Sequence, residues 1–132
     1  MSQDALHQFP IRVYYEDTDM GGIVYHANFL RFIERARSDW VRALGVDQNA
    51  MRAAGEVYVV RRVNADFLAP AKFDEELVVE TRPQEITPAR LILKQTVKRA
   101  ETSLFEAEVT IVALALETGR PTRLPAEIRA LR

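Results

Sequence analysis

The chain predicts an α+β fold in which a curved, largely antiparallel sheet of five strands wraps around one long helix. Apolar residues recur at steps of three and four between residues 29 and 44, the period of an amphipathic helix. Five other segments read as strands, and only this helix is long enough to cover their apolar face.

The first strand runs from Phe9 to Tyr15, where Phe9, Ile11, Val13 and Tyr15 alternate with Pro10, Arg12 and Tyr14. The helix presents Phe29, Ile33, Ala36, Trp40 and Leu44 as one stripe, with Arg31, Glu34, Arg35, Arg37, Asp39 and Arg42 mostly on other faces. Asn28 is the expected N-cap, because its side chain can accept from an orphan N–H, and Gly45 suits the left-handed turn that ends a helix. "DQNAMRAAGE" reads as a short helical turn closed by Gly55. A long strand follows, with Val57, Val59, Val63, Ala65 and Phe67 on one face and Arg61 interrupting it. "EELVVETR", "ARLILKQTVKRA" and "SLFEAEVTIVALAL" supply the other strands, separated by "PAKFD", "PQEITP" and "AET". From Ile111 to Leu116 both faces are apolar, as expected of a strand covered by the helix on one side and by another body, such as a partner subunit, on the other. "ETGRPTRLPAEIRALR" closes the chain with two prolines and a short basic tail.

With 132 residues, 48% of them apolar, the chain is expected to form one domain over residues 1–132 around one core. Its formal net charge of -1 gives no field that would mark a nucleic-acid or anionic-membrane binder. The absence of cysteine excludes disulfides, thiolate metal sites and thiol nucleophiles. "MSQDALHQFP" lacks the features of a signal peptide, and no run approaches the roughly 20 apolar residues that span a bilayer. The expectation is a soluble cytoplasmic protein with His7 in a loose N-terminus.

Chemistry concentrates in residues 14–29, "YYEDTDMGGIVYHANF". Calcium coordination fails on spacing: counting from Asp17, the fifth loop position is Gly21 and the twelfth Asn28, where an EF-hand needs an oxygen ligand and a bidentate Glu. Zinc is disfavoured because His26, Asp17 and Asp19 share no helix face, and "GGIVYH" lacks the lysine and hydroxyl of a phosphate-binding P-loop. What remains is a carboxylate, two glycines and a helix start, which places an acid or base beside exposed backbone N–H donors. That combination suits acyl transfer. A thioester carbonyl gains negative charge in its tetrahedral transition state, and helix-entry N–H groups already carry partial positive charge. Each residue also has a plain structural reading: Asp17 and Asp19 as Asx-turns, Gly21 and Gly22 as positive-φ turn residues, His26 as a surface histidine.

The segment "RVYYEDTDMGGIVYHANFLRFIERAR" resembles the signature of the 4-hydroxybenzoyl-CoA thioesterase family of hotdog-fold proteins, and is most similar to its Tol-Pal-associated acyl-CoA thioesterase group. "NADFLAPAKFDEELVVET" extends the resemblance over nearly the whole chain. The resemblance implies a homodimer or homotetramer with the active site between subunits, and an acyl-CoA substrate or an acyl carrier protein thioester. Asp19 takes the position of the catalytic carboxylate, and the His26 N–H that of the oxyanion donor. The His26 side chain and Tyr15 match pocket positions. Gly22, Tyr25 and Arg90 complete the expected substrate-binding set, with Arg61, Arg62 and Lys72 as further candidates for the phosphates of coenzyme A. Phe29 stands where tyrosine is common, and Met20 replaces a smaller residue.

Hydrolysis of an acyl-CoA is therefore the expected reaction, with Asp19 as nucleophile or general base and no metal or other cofactor. Two alternatives stand beside it. One is a hotdog dehydratase or hydratase using His26 with Glu34; the other is a non-catalytic module that binds acyl-CoA, acyl carrier protein or an envelope complex.

Overall fold

A computed structural model describes residues 6–131. Its elements are β1 (His7–Arg12), a 3-10 turn (Tyr15–Asp17), α1 (His26–Ala43), α2 (Gln48–Ala53), β2 (Glu56–Phe67), β3 (Glu76–Ile86), β4 (Arg90–Arg99), β5 (Thr102–Ala115), β6 (Pro121–Thr122) and α3 (Ala126–Arg129). The sheet is antiparallel throughout in the order β1-β3-β4-β5-β2, and the two-residue β6 adds a sixth strand beside β5.

Alternation decides which side chains meet the helix. Leu77 and Val79 of β3, Leu91, Leu93 and Val97 of β4, and Phe105, Val109 and Ala113 of β5 are buried in one cluster with Phe29, Phe32, Ile33, Ala36, Trp40 and Val41 of α1. At roughly 1.5–3 kcal/mol for a fully buried Leu, Ile, Val or Phe, this cluster is the main stabilising term. Leu124 and Ile128 belong to it as well, so the closing segment is part of the core. Arg132 of the expected tail lies outside the described residues, as do residues 1–5.

Several expectations need correction. β1 ends at Arg12, and the alternation stops at buried Val13: Tyr14 and Tyr15 are exposed because the chain turns into the 3-10 segment. His7 is held rather than loose, pairing with Thr81 in the sheet, and its Nε2 lies 2.8 Å from Asp39 Oδ2 on α1. The third strand runs on through Pro83 to Ile86, because the register shifts between Pro83 and Glu85 and the bulge tolerates a residue without an N–H. Arg61 marks a bulge, with the register of β2 against β5 shifting between Val60 and Arg62, so Val57 and Val59 do not share the face of Val63, Ala65 and Phe67; Tyr58 and Val60 stand opposite the core residues Ala113 and Ile111 instead.

The two sheet edges differ. β1 is short and carries exposed Pro10 and Arg12, which discourage further pairing. β2 is 12 residues long, pairs on one side only, and exposes Val60, Val63 and Phe67.

Candidate active site

The acid loop is stitched into place by backbone bonds. Val13 exchanges hydrogen bonds with the 74–75 segment, Thr18 bridges to Val24, and Ile23 bridges to Lys72. The Asp19 N–H donates to Ile23 O (2.9 Å), and the Gly22 N–H donates to Asp19 O (3.0 Å). This tight return needs φ +77 at residue 22, which glycine supplies without a Cβ penalty. Gly21 serves differently: its N–H donates to Asp19 Oδ1 at 2.8 Å, and a Cβ there would stand 3.2 Å from that oxygen.

The two loop aspartates have opposite environments. Asp17 is buried, its Oδ2 accepting from the Tyr14 N–H (2.8 Å) and its Oδ1 from the Asn28 side-chain amide (2.9 Å). Its carbonyl accepts from the Tyr25 N–H at 2.9 Å. One residue thus ties the end of the first strand, the loop and the first turn of α1 together. Asp19 is exposed, with Gly21 its donor and Met20 beside it standing fully out of the surface.

Asn28 is therefore not the N-cap. Tyr25 occupies that position with no side-chain hydrogen bond to the helix, while Asn28 is buried inside the first turn facing Asp17. As a result the N–H groups of His26 and Ala27 have no acceptor among the described residues. The first turn itself carries no acidic residue; the carboxylate facing it is that of Asp17, held through the Asn28 amide.

Aromatic packing fixes the floor. The His26 ring lies 4.4 Å from Tyr25 and meets Phe67 edge-on at 6.1 Å. Phe67 packs on Phe105 at 4.9 Å, and Phe29, buried, stacks on Phe105 at 5.1 Å. The phenylalanine at 29 therefore serves the core. Tyr15, exposed, stacks on Phe73 at 4.2 Å.

The structure thus brings Asp19, Gly22, Tyr25 and His26 into one loop and helix entrance. Tyr15 joins their rim through Phe73, next to the Lys72 to which Ile23 bridges. Arg90 sits elsewhere, paired with Val112 at the opposite end of the sheet and bonded to Glu85 at 2.8 Å. His26 and Glu34, the imagined dehydratase pair, are roughly 12 Å apart along the helix axis at about 1.5 Å per residue. Asp17 was legible only as one of two loop aspartates; no spacing rule told it from Asp19.

A helix wrapped by an antiparallel sheet, entered through an acidic loop with open N–H donors, defines a hotdog-fold protein of the thioesterase class. The chain belongs to the thioesterase-like superfamily, whose family model matches residues 13–131. It is 38% identical over 123 residues to the acyl-CoA thioesterase YbgC of Haemophilus influenzae, covering 92% of this chain and 90% of that one. Identity to the acyl-CoA thioester hydrolase YbgC of Escherichia coli O157:H7 is 39% over 127 residues, with 96% and 95% covered. A probable thioesterase from Bartonella henselae superimposes with a TM-score of 0.86 at 38% identity, over 92% of this chain and all of that one.

Proposed function

We propose that the chain hydrolyses acyl-CoA thioesters to the free acid and coenzyme A. The relatives named above support the reaction class. The observation that carries the reading is the uncapped entrance of α1, where the His26 and Ala27 N–H groups stand open beside a loop with an exposed carboxylate. The thioester oxygen takes the His26 N–H, which is already oriented and gains strength as the carbonyl becomes an oxyanion. Asp19 acts from the other face of the carbonyl carbon. As general base it removes a proton from water as the water oxygen attacks; the tetrahedral oxyanion then collapses, the C–S bond breaks, and the thiolate leaves to be protonated as coenzyme A. As nucleophile it forms an acyl-aspartyl anhydride that water opens in a second step.

The reading includes a homodimer formed through β2. An unpaired 12-residue edge with exposed Val60, Val63 and Phe67 suits antiparallel pairing with its own copy across a two-fold axis. Within one chain His26 lies over Phe67, at the C-terminal end of β2, whereas Tyr58 and Arg90 belong to the other end. Antiparallel pairing lays one copy's acid loop over the other copy's Tyr58 end and encloses the exposed Asp19. Pairing of two such dimers gives the tetramer. The resemblance adds acyl carrier protein as a second acyl donor and an association with the Tol-Pal envelope machinery.

The test is thiol release from a panel of acyl-CoAs. Asp19→Asn lowers kcat by about 10²- to 10⁴-fold with an unchanged circular dichroism spectrum. A near-normal rate in that variant removes Asp19 from the mechanism. Sedimentation of the protein as a monomer at assay concentration removes the shared site.

A further inference from the structure

A buried polar network in the core has no part in the acid loop. Gln95, fully buried on the helix-facing side of β4, donates from Nε2 to the Ile33 carbonyl and to the Thr81 hydroxyl, each at 2.9 Å. Two acceptors on the same nitrogen fix the orientation of the amide, so its Oε1 can only face the other way. There it accepts from Arg37 Nη1 at 3.0 Å. Three core positions, Thr81, Gln95 and the Ile33 carbonyl, are thereby committed to holding one guanidinium in place.

Arg37 is half-buried and has no carboxylate within 4.0 Å among the described residues; the hydrogen bond to Gln95 is its one protein contact of that kind. Burial pulls its pKa below the ordinary guanidinium value and the charge of Glu34 pushes it back, yet a guanidinium stays protonated in proteins. Holding a cation out of water without a counter-ion is costly. A ligand anion would repay that cost.

Arg37 lines a cavity of about 290 Å³ between α1 and β2, whose apolar walls include Val41, Val59 and Ile111. Tyr58 lines it too, and its hydroxyl is buried without a partner. Burial, with the charge of Glu127 adding, raises the Tyr58 pKa, so the hydroxyl remains an O–H donor at neutral pH. The cavity therefore combines aliphatic walls with a guanidinium held on one side by Gln95, and the ring of Tyr58, whose hydroxyl has no partner among the described residues. Glu34 also lines it, but is exposed, and its Oε2 accepts from the Ser38 hydroxyl at 3.1 Å. An exposed carboxylate is screened by water, whereas a direct guanidinium–carboxylate contact is short and can be bidentate.

We infer that this cavity receives the far end of the acyl group, and that Arg37 and Tyr58 select acyl groups ending in a carboxylate, the monothioesters of short dicarboxylic acids. The inference rests on the proposed thioesterase reading and its β2 dimer, because within one chain even Glu34 is roughly 12 Å along the helix from His26. Antiparallel pairing of β2 closes that distance by bringing the partner's acid loop to the Tyr58 end.

The experiment compares length-matched pairs, glutaryl- with pentanoyl-CoA and adipoyl- with hexanoyl-CoA, by thiol release from the full chain. The carboxylate-ended member of at least one pair has the higher kcat/KM by about 10-fold or more, as expected for a hydrogen bond to a charged group. Arg37→Met brings that ratio to about one or below, mainly through KM. Tyr58→Phe, which removes only an unpartnered hydroxyl and so threatens the fold least, lowers the ratio by about 3- to 10-fold. Release from pentanoyl- and hexanoyl-CoA with no preference for the diacids overturns this inference and leaves the thioesterase reading intact. So does a preference that survives in Tyr58→Phe and Arg37→Met, or an equal loss on both members of each pair. No release from any acyl-CoA overturns both.

Discussion

The two ends of α1 are finished to opposite standards. At the C-terminus the Gly45 N–H donates to Arg42 O (3.0 Å) and the Val46 N–H to Val41 O (3.2 Å), with Gly45 at φ +91. This Schellman closure satisfies two carbonyls that the helix would otherwise leave open. At the N-terminus, Tyr25 makes no side-chain capping bond, and the His26 and Ala27 N–H groups have no acceptor among the described residues. A capping serine or aspartate there is commonly worth about 1 kcal/mol. The difference teaches that a broken capping rule beside a well-kept one marks where donors are reserved for a ligand.

The largest effect expected from breaking this arrangement is at Asp17, which holds the open end in position. Asp17→Ala leaves the Tyr14 N–H and the buried Asn28 amide without acceptors, costing roughly 2–6 kcal/mol in urea unfolding at about 1–3 kcal/mol per buried orphan. The reciprocal pair Asp17→Asn with Asn28→Asp can keep both bonds, and recovers most of that loss and of the thiol-release rate. If stability returns while the rate does not, the charge at position 17 matters beyond its bonds.

A smaller effect separates the two ends. Gly45→Ala forces a Cβ into the left-handed region and destabilises by about 1–2 kcal/mol, with kcat/KM unchanged in the assay. A loss of activity matching the loss of stability would mean that the closed end also serves the site. The smallest effect sharpens the contrast. Tyr25→Ser and Tyr25→Ala both remove the ring, but only serine can accept from the Ala27 N–H. Tyr25→Ser is expected to be more stable than Tyr25→Ala by about 0.5–1 kcal/mol, and slower in thiol release. If the two variants turn over equally, the Ala27 N–H is not used in the reaction.

Much of this was visible in the linear pattern. The 3.6-residue stripe located α1, and Gly45 its end. Arg61 misled: the bulge there moves the helix-facing side to Tyr58 and Val60, so Val57 and Val59 do not share the face of Val63, Ala65 and Phe67. Pro83 misled, because proline's missing N–H can be absorbed by a bulge as readily as by a turn. Tyr15 misled too: alternation continued in the letters for two residues after the backbone had left the sheet.

Within the acid loop, sequence and resemblance together named Asp19 and His26, but Asn28 was assigned the cap it does not make. Asp and Asn both accept hydrogen bonds, and only the path of the chain decides which donor each one reaches. Arg37 and Gln95 are 58 positions apart, and nothing local to either foretells their bond.

By itself the sequence determined the long helix, the five main strands, their order and the layer they form, because periodicity is a property of neighbours along the chain and burial follows from it; the short β6 and α3 left no such period. The tertiary structure alone decided which aspartate is buried, which sheet edge stays open and that the half-buried Arg37 has no carboxylate within 4.0 Å among the described residues. Those outcomes depend on segments distant in sequence competing for the same donors and the same exclusion of water, and no short window of residues records that competition.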